Sequence, residues 1–371
     1  MQLSYWEIKS WFTNVDFTIV GSGIVGLQTA NFLKDKYPNS KIIILERGSL
    51  PQGASTKNAG FACFGSVSEI LSDLQSHSED EVLQLIEKRF KGLEILRNQL
   101  GDTNIDYQNN GGYEVFLNSN PDLYQKCTDQ TSYINQLVKP LFKNEIYSIR
   151  KDENNFQNTF PNLILNTLEG QIDTGKMMQT LLKQVASKNV LILNHQEVIS
   201  FTENNTNATV ITNDFSFDTK KLLFTTNGFA GQLTNNEVKP ARAQVVITKP
   251  ISNLTIKGTF HLDEGYYYFR NIDNRILFGG GRNLDFEGET TTELKTTELI
   301  QNRLDELLKT VILPSIPFEI EHRWSGIMGV GTQKKPIVKA LSNSVYCGVR
   351  MGGMGVAIGS LIGKELAELI D

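Results

Sequence analysis

The sequence segment that most constrains the fold is GSGIVG, at residues 21–26, because of what stands on either side of it. A short β-rich run, Asp16–Val20, precedes the glycines, and apolar residues at helical spacing follow them as far as Lys36. A second strand is predicted over Lys41–Glu46, which is nearly all apolar, as expected for a strand buried on both faces of a parallel sheet. These elements form one strand–helix–strand unit of about thirty residues, which predicts an α/β fold.

The same segment predicts where a dinucleotide binds. Gly21 permits a tight turn, Gly23 lets the backbone approach a pyrophosphate, and Gly26 lets helix and strand pack closely. The N-terminus of the following helix offers free N–H groups and the positive end of its dipole to the phosphates. Glu46 ends the second strand, where its carboxylate can accept hydrogen bonds from ribose hydroxyls and would repel a 2′-phosphate.

The residues after the second strand bear on the choice between a flavin and a nicotinamide. Arg47 is followed by a loop of small residues, ASTKNAGFACFG at 54–65, which would be surplus in a simple NAD domain. In a flavoprotein, Ser55 and Thr56 could hydrogen-bond the pyrophosphate while residues 58–60 pass close to the isoalloxazine ring. An ordinary polar loop explains these residues equally well, so the choice stays open at this point.

Length, charge and cysteine usage set further bounds. At 371 residues the chain exceeds the size at which a single core usually stops growing, so two structural units are expected. A formal charge of −5 without blocks of like charge argues against a nucleic-acid partner. The 3 cysteines and 4 histidines lack the spacing of a disulfide framework or a metal site. Charged residues interrupt the longest apolar stretch, so we expect no membrane span and a cytoplasmic location.

A series of segments along the chain resembles one family. After GSGIVG and Glu46-Arg47 the segments are ASTKNAG (54–60), GQIDTGKMMQTLL (170–182), LLFTTNGFAGQL (222–233), PARAQVVITKP (240–250), YYYFRNIDNRILFGGGR (266–282), RWSGIMG (323–329) and YCGVRMGGMGVAIG (346–359). In this order they are similar to the FAD-dependent D-amino-acid oxidase superfamily, which includes glycine oxidase, sarcosine oxidase and D-amino-acid dehydrogenase. The resemblance spans nearly the whole chain.

The resemblance implies a particular domain organisation. It implies a Rossmann-type FAD-binding domain and a second, α+β substrate domain built on a mixed, largely antiparallel sheet. The FAD-binding domain is expected to be discontinuous and to take residues 1–90, 145–235 and 320–371. The substrate domain is expected to take residues 91–144 and 236–319.

The resemblance also implies which residues bind FAD. In this family the backbone at Val198 contacts adenine, and the run Gly352–Val356 lies beside the pyrimidine and ribityl portions of the flavin. N–H donors and a helix N-terminus there would stabilise the negative charge of a reduced flavin. Sarcosine-oxidase-like members attach FAD through a Cys near the Trp-x-Gly motif, but Gly326–Gly331 contains none, so we expect non-covalent FAD. The predicted cofactor-binding residues are Gly21, Ser22, Gly23, Ile24, Val25, Gly26, Glu46, Arg47, Ala54, Ser55, Thr56, Asn58, Ala59, Gly60, Val198, Thr226, Asn227, Gly228, Gly326, Arg350, Met351, Gly352, Gly353, Met354, Gly355 and Val356.

The substrate side departs from the family pattern. Glycine-oxidase-like members carry an Arg after the Trp-x-Gly motif that binds the substrate carboxylate, whereas this chain has Met328 at that position. Arg350, inside an apolar and glycine-rich strand end, is the first candidate for a replacement, and Arg270 and Arg323 are others. A lone histidine such as His261 is more often structural than a base.

Three consecutive tyrosines provide a second group of candidates on the substrate side. Tyr266 and Tyr268 alternate with Tyr267 along a strand, so the first two share one face. Their hydroxyls can hold a carboxylate or an amine if that face lines the flavin pocket, although sheet packing is the ordinary role of such rings. The predicted catalytic residues are Tyr266, Tyr268, Arg350 and Met328.

The expected function is the FAD-dependent oxidation of the C–N bond of a small amine or amino acid, by hydride transfer to flavin N5. Sarcosine-type enzymes promote the reaction with oxygen through a Lys on the strand that aligns with Ile276–Phe278, and none stands there. The electron acceptor is therefore expected to be either O2 or a quinone or other carrier. Two alternatives stay open: an FAD enzyme that acts on a modified tRNA base, and a flavin-binding protein without amine oxidase activity. The C-terminal glycine run disfavours an NAD-dependent dehydrogenase.

Overall fold

The computed structural model describes residues 2–204, 206–234 and 237–370, and this part of the chain forms two eight-stranded sheets with helices around them. The strands are β1 (Val15–Val20), β2 (Ile42–Leu45), β3 (Phe61–Ala62), β4 (Gly112–Glu114), β5 (Tyr147–Lys151), β6 (Asn162–Asn166), β7 (Gly170–Gln171), β8 (Leu191–Leu193), β9 (Val198–Glu203), β10 (Ala208–Thr212), β11 (Ser216–Phe224), β12 (Lys239–Thr248), β13 (Thr259–Leu262), β14 (Tyr267–Ile272), β15 (Arg275–Gly280), β16 (Ile320–Val330), β17 (Ile337–Ala340) and β18 (Val345–Val349). The α-helices are α1 (Tyr5–Glu7), α2 (Ile24–Lys36), α3 (Val67–Asp73), α4 (Glu79–Leu100), α5 (Asp102–Ile105), α6 (Pro121–Val138), α7 (Thr174–Ser187), α8 (Glu298–Leu307) and α9 (Gly355–Glu368).

The first sheet contains the predicted strand–helix–strand unit. Its order is β17-β18-β11-β1-β2-β8, with β10 and β9 continuing beside β11. Strand β1 pairs in parallel with β2 and β11, and β11 pairs in parallel with β18. The side chains of β2 are buried throughout, as its nearly all-apolar sequence predicts. Helices α2 and α9 pack closely, and glycine at position 363 permits this, since a Cβ there would lie only 2.6 Å from the Cβ of Gln28.

The second sheet is mixed and largely antiparallel, in the order β16-β12-β15-β14-β13-β4-β6-β5. The pairing of β13 with β4 is parallel, and the other pairs are antiparallel. Stacked aromatic rings fill one of its faces, where Phe260 and Phe269 lie with centroids 4.6 Å apart. Helix α8 packs on the same cluster through Leu304, which is fully buried. The predicted fold class, an α/β FAD-binding fold with a second, largely antiparallel sheet, is confirmed.

Sheet membership differs from the expected domain boundaries at three strands. The boundaries place β5, β6 and β16 with the FAD-binding unit, whereas all three pair within the second sheet. Strand β16 is eleven residues long and pairs along nearly its whole length with β12, which brings it into the second sheet. The first sheet nevertheless takes its strands from well-separated parts of the chain, up to Val345–Val349 in β18. The division of the chain into two domains stays a prediction.

The leucine spacing of the sequence predicts one long helix over Thr291–Val311, but the helix begins later in the structure. Helix α8 starts at Glu298, and a π-helical turn, Leu308–Ile312, follows it. The side chain of Gln244 accepts from the backbone N–H of Thr297 at 2.9 Å and donates to its hydroxyl at 2.8 Å. These bonds from β12 hold the preceding segment in an extended path, which local helix propensity does not reveal.

The helix-like spacing of the N-terminal aromatic residues Tyr5, Trp6, Trp11 and Phe12 predicts that this segment docks on the surface of the domain. Phe12 does so, because it lies against Phe215 and Phe217 with centroid distances of 4.6 and 5.3 Å. Tyr5, Trp6 and Trp11 are 66%, 68% and 49% exposed, so the docking is clearest for Phe12. No helix within the described ranges combines the length and the apolar character needed to cross a membrane.

Candidate active site

A large cleft of about 1610 Å³ separates the two sheets. The first sheet contributes the ends of β1 and β2 and the residues after β11, and the second sheet contributes residues of β12, β14 and β16. Small-molecule pockets commonly measure about 300–1,000 Å³, so this cleft has room for a dinucleotide together with a small substrate.

The glycine-rich turn forms one end of the cleft. Gly21 has a φ of +103°, a conformation that favours glycine, and it lines the cleft together with Gly23 and Ile24. A Cβ at Gly26 would clash with the carbonyl oxygen of Gly21, so this glycine allows the turn and helix α2 to come together. The Ser55 hydroxyl oxygen accepts from the Ile24 N–H at 2.9 Å, which leaves the hydroxyl hydrogen free to donate to a phosphate.

Glu46 lies beside this turn, buried but in the wall of the cleft. One carboxylate oxygen accepts from the Ser22 hydroxyl at 2.8 Å and from the Ser22 N–H at 3.2 Å. The other accepts from the Gly48 N–H at 3.0 Å. These donors fix the carboxylate at the end of β2, where the sequence predicts a ribose acceptor.

The loop after β11 connects the nucleotide end of the cleft to its middle. The Arg47 guanidinium lies over the Phe229 ring, 3.9 Å from its centroid. The Asn227 side-chain oxygen accepts from the backbone N–H of Met351 at 3.1 Å. Gly228 packs so closely on the backbone of Met328 that a Cβ would clash with the carbonyl oxygen. The loop therefore holds β16 and the C-terminal glycine run together.

The C-terminal glycine run forms another wall of the cleft. Gly352 and Gly353 have φ values of +58° and +83°, and the whole stretch 351–357 lines the cleft. Helix α9 begins at Gly355 without a side-chain cap, so N–H groups of its first turn are available to a ligand. The arrangement suits an electron-rich carbonyl and ring-nitrogen edge, such as that of a flavin.

Most of the predicted cofactor-binding residues meet in this cleft. Those that line it are Gly21, Gly23, Ile24, Val25, Glu46, Arg47, Ala54, Ser55, Asn58, Ala59, Val198, Thr226, Asn227, Gly228, Gly326, Met351, Gly352, Gly353, Met354, Gly355 and Val356. Those that lie outside its lining are Ser22, Gly26, Thr56, Gly60 and Arg350.

These five residues support the wall of the cleft through hydrogen bonds or close packing. Ser22 is buried and holds Glu46, and Gly26 allows the tight packing described above. The Thr56 hydroxyl donates to the carbonyl oxygen of Pro51 at 2.6 Å. Gly60 packs against the carbonyl oxygen of Ile172.

Arg350 has contacts that differ from those of a substrate-binding arginine. Its Nε donates to the carbonyl oxygen of Lys335 at 2.8 Å, and one terminal nitrogen lies 3.5 Å from the carbonyl oxygen of Glu237. Its backbone has a φ of +68°, at the turn that leads into the glycine run. The guanidinium therefore stabilises this turn through hydrogen bonds to backbone carbonyl oxygens, and it does not line the cleft.

The predicted alternation of the three tyrosines is present. Tyr266 and Tyr268 line the cleft, as does Met328, while Tyr267 is buried in the aromatic core on the opposite face. The Tyr268 ring lies edge-on to Phe61, 5.6 Å between centroids. Burial raises the pKa of Tyr268 to about 12, so its hydroxyl is neutral and can donate at physiological pH.

Arg282, for which the sequence favours a surface or ion-pair role over a ligand role, is a half-buried cation in the cleft wall. Its Nε is buried without a hydrogen-bond partner, and no carboxylate of the described residues lies within salt-bridge distance of it. Burial lowers the pKa of this guanidinium, and its central carbon lies 4.9 Å from the centroid of the Phe286 ring.

The other arginine candidates do not line the cleft. Arg323 forms a salt bridge with Asp305 at 2.8 Å and donates to Gln301. Arg270 is buried beneath Gly60 and does not line the cleft.

A buried cluster of ionisable side chains borders the same cleft. Glu69, Arg89, Cys63 and His261 line it, and Glu169 lies behind them. Potential ligand atoms of Cys63, Glu169 and His261 all lie within 4.8 Å of one another. Because these residues come from distant parts of the chain, no spacing in the sequence reveals the cluster.

A glycine turn at a helix N-terminus, with a fixed carboxylate beside it, is typical of a dinucleotide-binding protein, because these groups match the phosphates and ribose of such a ligand. The particular family follows from comparison with family models. Residues 16–369 match the model described as FAD dependent oxidoreductase, DAO, and the chain therefore belongs to this family. The predicted enzyme class and the predicted FAD cofactor are confirmed.

Individual relatives are distant but cover nearly the whole chain. Gamma-glutamylputrescine oxidoreductase of Escherichia coli is 24% identical over 376 residues, which cover 96% of this chain and 83% of the relative. The probable oxidoreductase OrdL of Haemophilus influenzae is 20% identical over 383 residues, with the same coverage of 96% and 83%. The solved structure of glycine oxidase from Bacillus cereus has a TM-score of 0.76 at 16% identity and covers 96% of each chain. At this identity the structural likeness shows the fold.

Proposed function

We propose that this protein oxidises the C–N bond of a small amine or amino acid, with non-covalently bound FAD as the hydride acceptor. The observation that carries the proposal is the combination, in one cleft, of a dinucleotide end and a wall with two tyrosines and an arginine that has no carboxylate partner among the described residues. The named substrates of two relatives, gamma-glutamylputrescine and glycine, are both amino compounds and support it.

The residues present fit FAD along the length of the cleft. The turn at Gly21–Gly23 and the N-terminus of α2 would hold the pyrophosphate, and Glu46 would accept from the ribose. Val198 would contact adenine through its backbone, and Gly352–Val356 would contact the flavin. When bound, FAD supplies the hydride acceptor, which is its N5 atom.

The burial and protonation of the cysteines support non-covalent attachment of FAD. Cys127 and Cys347 are buried and do not line the cleft, whereas Cys63 does and is 2% exposed. Burial, reinforced by the nearby Glu169 carboxylate, raises the pKa of the Cys63 thiol well above its ordinary value. A protonated and buried thiol is a poor nucleophile. Acid precipitation should therefore release the flavin into the supernatant, and a yellow pellet would contradict this part of the proposal.

The substrate would lie between the tyrosines and the flavin wall. The Tyr268 hydroxyl is neutral, and its ring is held edge-on against Phe61. The hydroxyl can donate to a carboxylate or accept from an amine. Arg282 can form charge-assisted hydrogen bonds with a carboxylate. It would therefore supply the carboxylate-binding role of the family arginine, whose position in this chain is occupied by Met328. Hydride transfer needs a neutral amine and correct aim of the α-C–H, so these residues contribute mainly by positioning.

The electron acceptor and the cellular location belong to the proposal as well. Strand β15 carries Ile276–Phe278 where related enzymes carry a lysine, but Lys57 lines the cleft from another element and packs against Gly326. The acceptor is accordingly proposed to be O2 or a quinone or other carrier, and an oxygen electrode and an artificial dye acceptor would distinguish the two.

We place the enzyme in the cytoplasm, in keeping with its three free, buried thiols.

Product analysis tests the proposal. The holoprotein is incubated with D- and L-amino acids, N-methyl amino acids and polyamines, with both oxygen and a dye acceptor present, and carbonyl products are trapped and identified. Oxidation of a C–N bond predicts an aldehyde or oxo acid and the matching amine or ammonia. Absence of carbonyl product from every class would contradict it, and binding of structured RNA at low salt would then favour a modified tRNA base as the substrate.

A further inference from the structure

A second, much smaller cavity of about 10 Å³ lies next to the cleft. Three of the residues that line it carry a buried side-chain atom without a hydrogen-bond partner among the described residues: Glu114 through Oε1, Asn166 through Nδ2 and His261 through Nε2. A buried water needs a volume of roughly 10–15 Å³ and two to four polar partners. The cavity therefore has the size and the chemistry to hold one water molecule.

His261 is the residue that connects this cavity to the cleft, because it lines both. It lies on β13, is 8% exposed, and contacts the Phe61 ring at a centroid distance of 5.3 Å. Its Nε2 is 3.9 Å from Oε2 of Glu169, whose other oxygen accepts from two backbone N–H groups. Nε2 thus belongs to the inner cluster, and the proposal below assigns the cleft side of the ring to the other nitrogen, Nδ1.

Glu114 lies on β4, beside His261 on β13 in the register of the two strands, and it also lines the small cavity. Its Oε2 accepts from the backbone N–H of Ser68 at 3.2 Å. Burial raises the pKa of Glu114 to about 7, so both protonation states are accessible near neutral pH. The ionisable groups that face it or surround the cavity are Glu69, Cys127, Tyr147, Glu169 and His261, with Arg89 as the nearby cation.

We propose that His261 takes the proton that a substrate ammonium releases in the cleft and passes it, through one water molecule in the small cavity, to Glu114. The inference rests on the proposed function for the origin of the proton, since an amine must be neutral before its C–H hydride can leave. In the step, the ammonium N–H bond breaks and its electron pair stays on nitrogen. Nδ1 of His261 gains a proton while Nε2 passes one to the water, and the water passes one to Oε1 of Glu114. The imidazole and the water end unchanged in charge, and the Glu114 carboxylate becomes a carboxylic acid.

The relay is tested first without any substrate, by infrared spectroscopy of the holoprotein. A carboxylic-acid C=O band that titrates near pH 7 is expected in the wild type and in Glu145→Gln, which changes an exposed carboxylate. The band should be missing in Glu114→Gln. Glu114→Asp serves as a second variant if Glu114→Gln does not fold. A band that persists without Glu114, or no titrating band in the wild type, would overturn the proposal.

Hydrogen–deuterium exchange of this band then tests the route. After mixing with D2O at a pH where Glu114 is protonated, its acid proton should exchange at least about 10-fold more slowly in His261→Phe and His261→Gln than in the wild type, because the relay is interrupted. Unchanged exchange in both variants would overturn the role of His261, whatever the substrate of the enzyme is.

The timing of proton release tests the coupling to catalysis. A substrate that bleaches the flavin is mixed anaerobically with the enzyme above pH 7 in a stopped-flow instrument, in weak buffer with an indicator dye. In the wild type the proton should reach the dye later than the flavin bleaches, because Glu114 holds it before releasing it to solvent, whereas in Glu114→Gln release and bleaching should coincide. The same timing in both proteins would overturn the relay as a proton acceptor for the substrate. Failure of every amine to bleach the flavin would instead count against the proposed function, while the infrared result would stand.

Discussion

Glu46 accepts two hydrogen bonds from Ser22, one from the hydroxyl at 2.8 Å and one from the backbone N–H at 3.2 Å. The contact joins the end of β2 to the glycine turn after β1, and it holds the carboxylate in the wall of the cleft. A residue that the sequence indicates as a ribose acceptor thus also holds the turn at which we propose that the pyrophosphate binds.

Replacing Glu46 by Gln should affect both stability and FAD affinity. Gln keeps the shape but loses the charge that strengthens the bonds from Ser22 and Gly48, so we expect the free energy of unfolding of the apoprotein to fall by about 1–3 kcal/mol. Urea denaturation and FAD titration measure the two effects. Asp35→Asn, an exposed residue at the end of α2, is the control. Wild-type FAD affinity in Glu46→Gln would contradict the assignment.

Two glycine substitutions separate the packing role from a general effect of added methyl groups. A Cβ at Gly26 would clash with Gly21 and lie 2.8 Å from the Thr225 hydroxyl, whereas Gly175 is exposed on α7, does not line the cleft, and a Cβ there would come no nearer than 3.2 Å to a side-chain oxygen. Gly26→Ala should abolish FAD binding and lower the melting temperature, and Gly175→Ala should leave FAD binding unchanged without lowering the melting temperature. FAD retention after gel filtration and thermal unfolding would show this, and a flavin-loaded Gly26→Ala would refute the placement of the dinucleotide.

Two adjacent tyrosines allow a matched test of the substrate wall. Tyr268→Phe removes a neutral hydroxyl from the cleft, so kcat/KM for the substrate should fall by roughly 10-fold, the value of one hydrogen bond of about 1.4 kcal/mol. Tyr267→Phe changes the opposite face, where the side chain lies in the aromatic core near Arg303, and should leave kcat/KM unchanged. Steady-state kinetics of the two variants compare these effects. The reverse order would mean that the other face of β14 contacts the substrate.

Arg282 is expected to determine affinity for carboxylates. A charge-assisted hydrogen bond contributes about 1.5–3 kcal/mol, so Arg282→Met should weaken the binding of a carboxylate inhibitor by about 10-fold or more. Perturbation of the flavin absorbance by the inhibitor gives the dissociation constant. Arg275→Met, whose side chain pairs with the exposed Glu321, is the control. If the two variants bind the inhibitor equally well, Arg282 is not the carboxylate ligand.

Glu114 should make stability depend on pH in a defined window. Its pKa is raised from 4.5 to about 7 by burial, so between these values the folded state binds more protons than the unfolded state. The contribution of this group to stability is therefore full below pH 4.5 and is lost as pH rises to about 7, by about 3 kcal/mol in total. Glu114→Gln should remove this decline, as measured by urea denaturation across the window. A wild-type pH slope in the variant would contradict the assignment.

Local sequence patterns predicted the parts of the fold whose cause is local. The glycine spacing, the apolar β2 and the helical periodicity of α2 all lie within one short stretch, and the structure follows them closely. The alternation of Tyr266, Tyr267 and Tyr268 likewise sets their faces, because successive side chains on a strand point in opposite directions.

Features that depend on contacts between distant segments could not be predicted in this way. Helix α8 starts late because Gln244, on another element, bonds the segment before it. Arg282 looks like any surface arginine in the sequence, and only its position in the cleft wall shows that it has no carboxylate partner in the described part of the chain. The meeting of His261 with Glu114 depends on the parallel pairing of β13 with β4, which no local signal specifies.

The most direct test of the central claim is an anaerobic absorbance spectrum of the purified protein, followed during addition of amino acids, N-methyl amino acids and polyamines. We predict flavin bands, present as purified or after incubation with FAD, that bleach when one class of these compounds is added. No flavin bands after incubation with FAD would contradict the assignment of the cleft. Flavin bands that no amine bleaches would contradict C–N oxidation as the function of this protein.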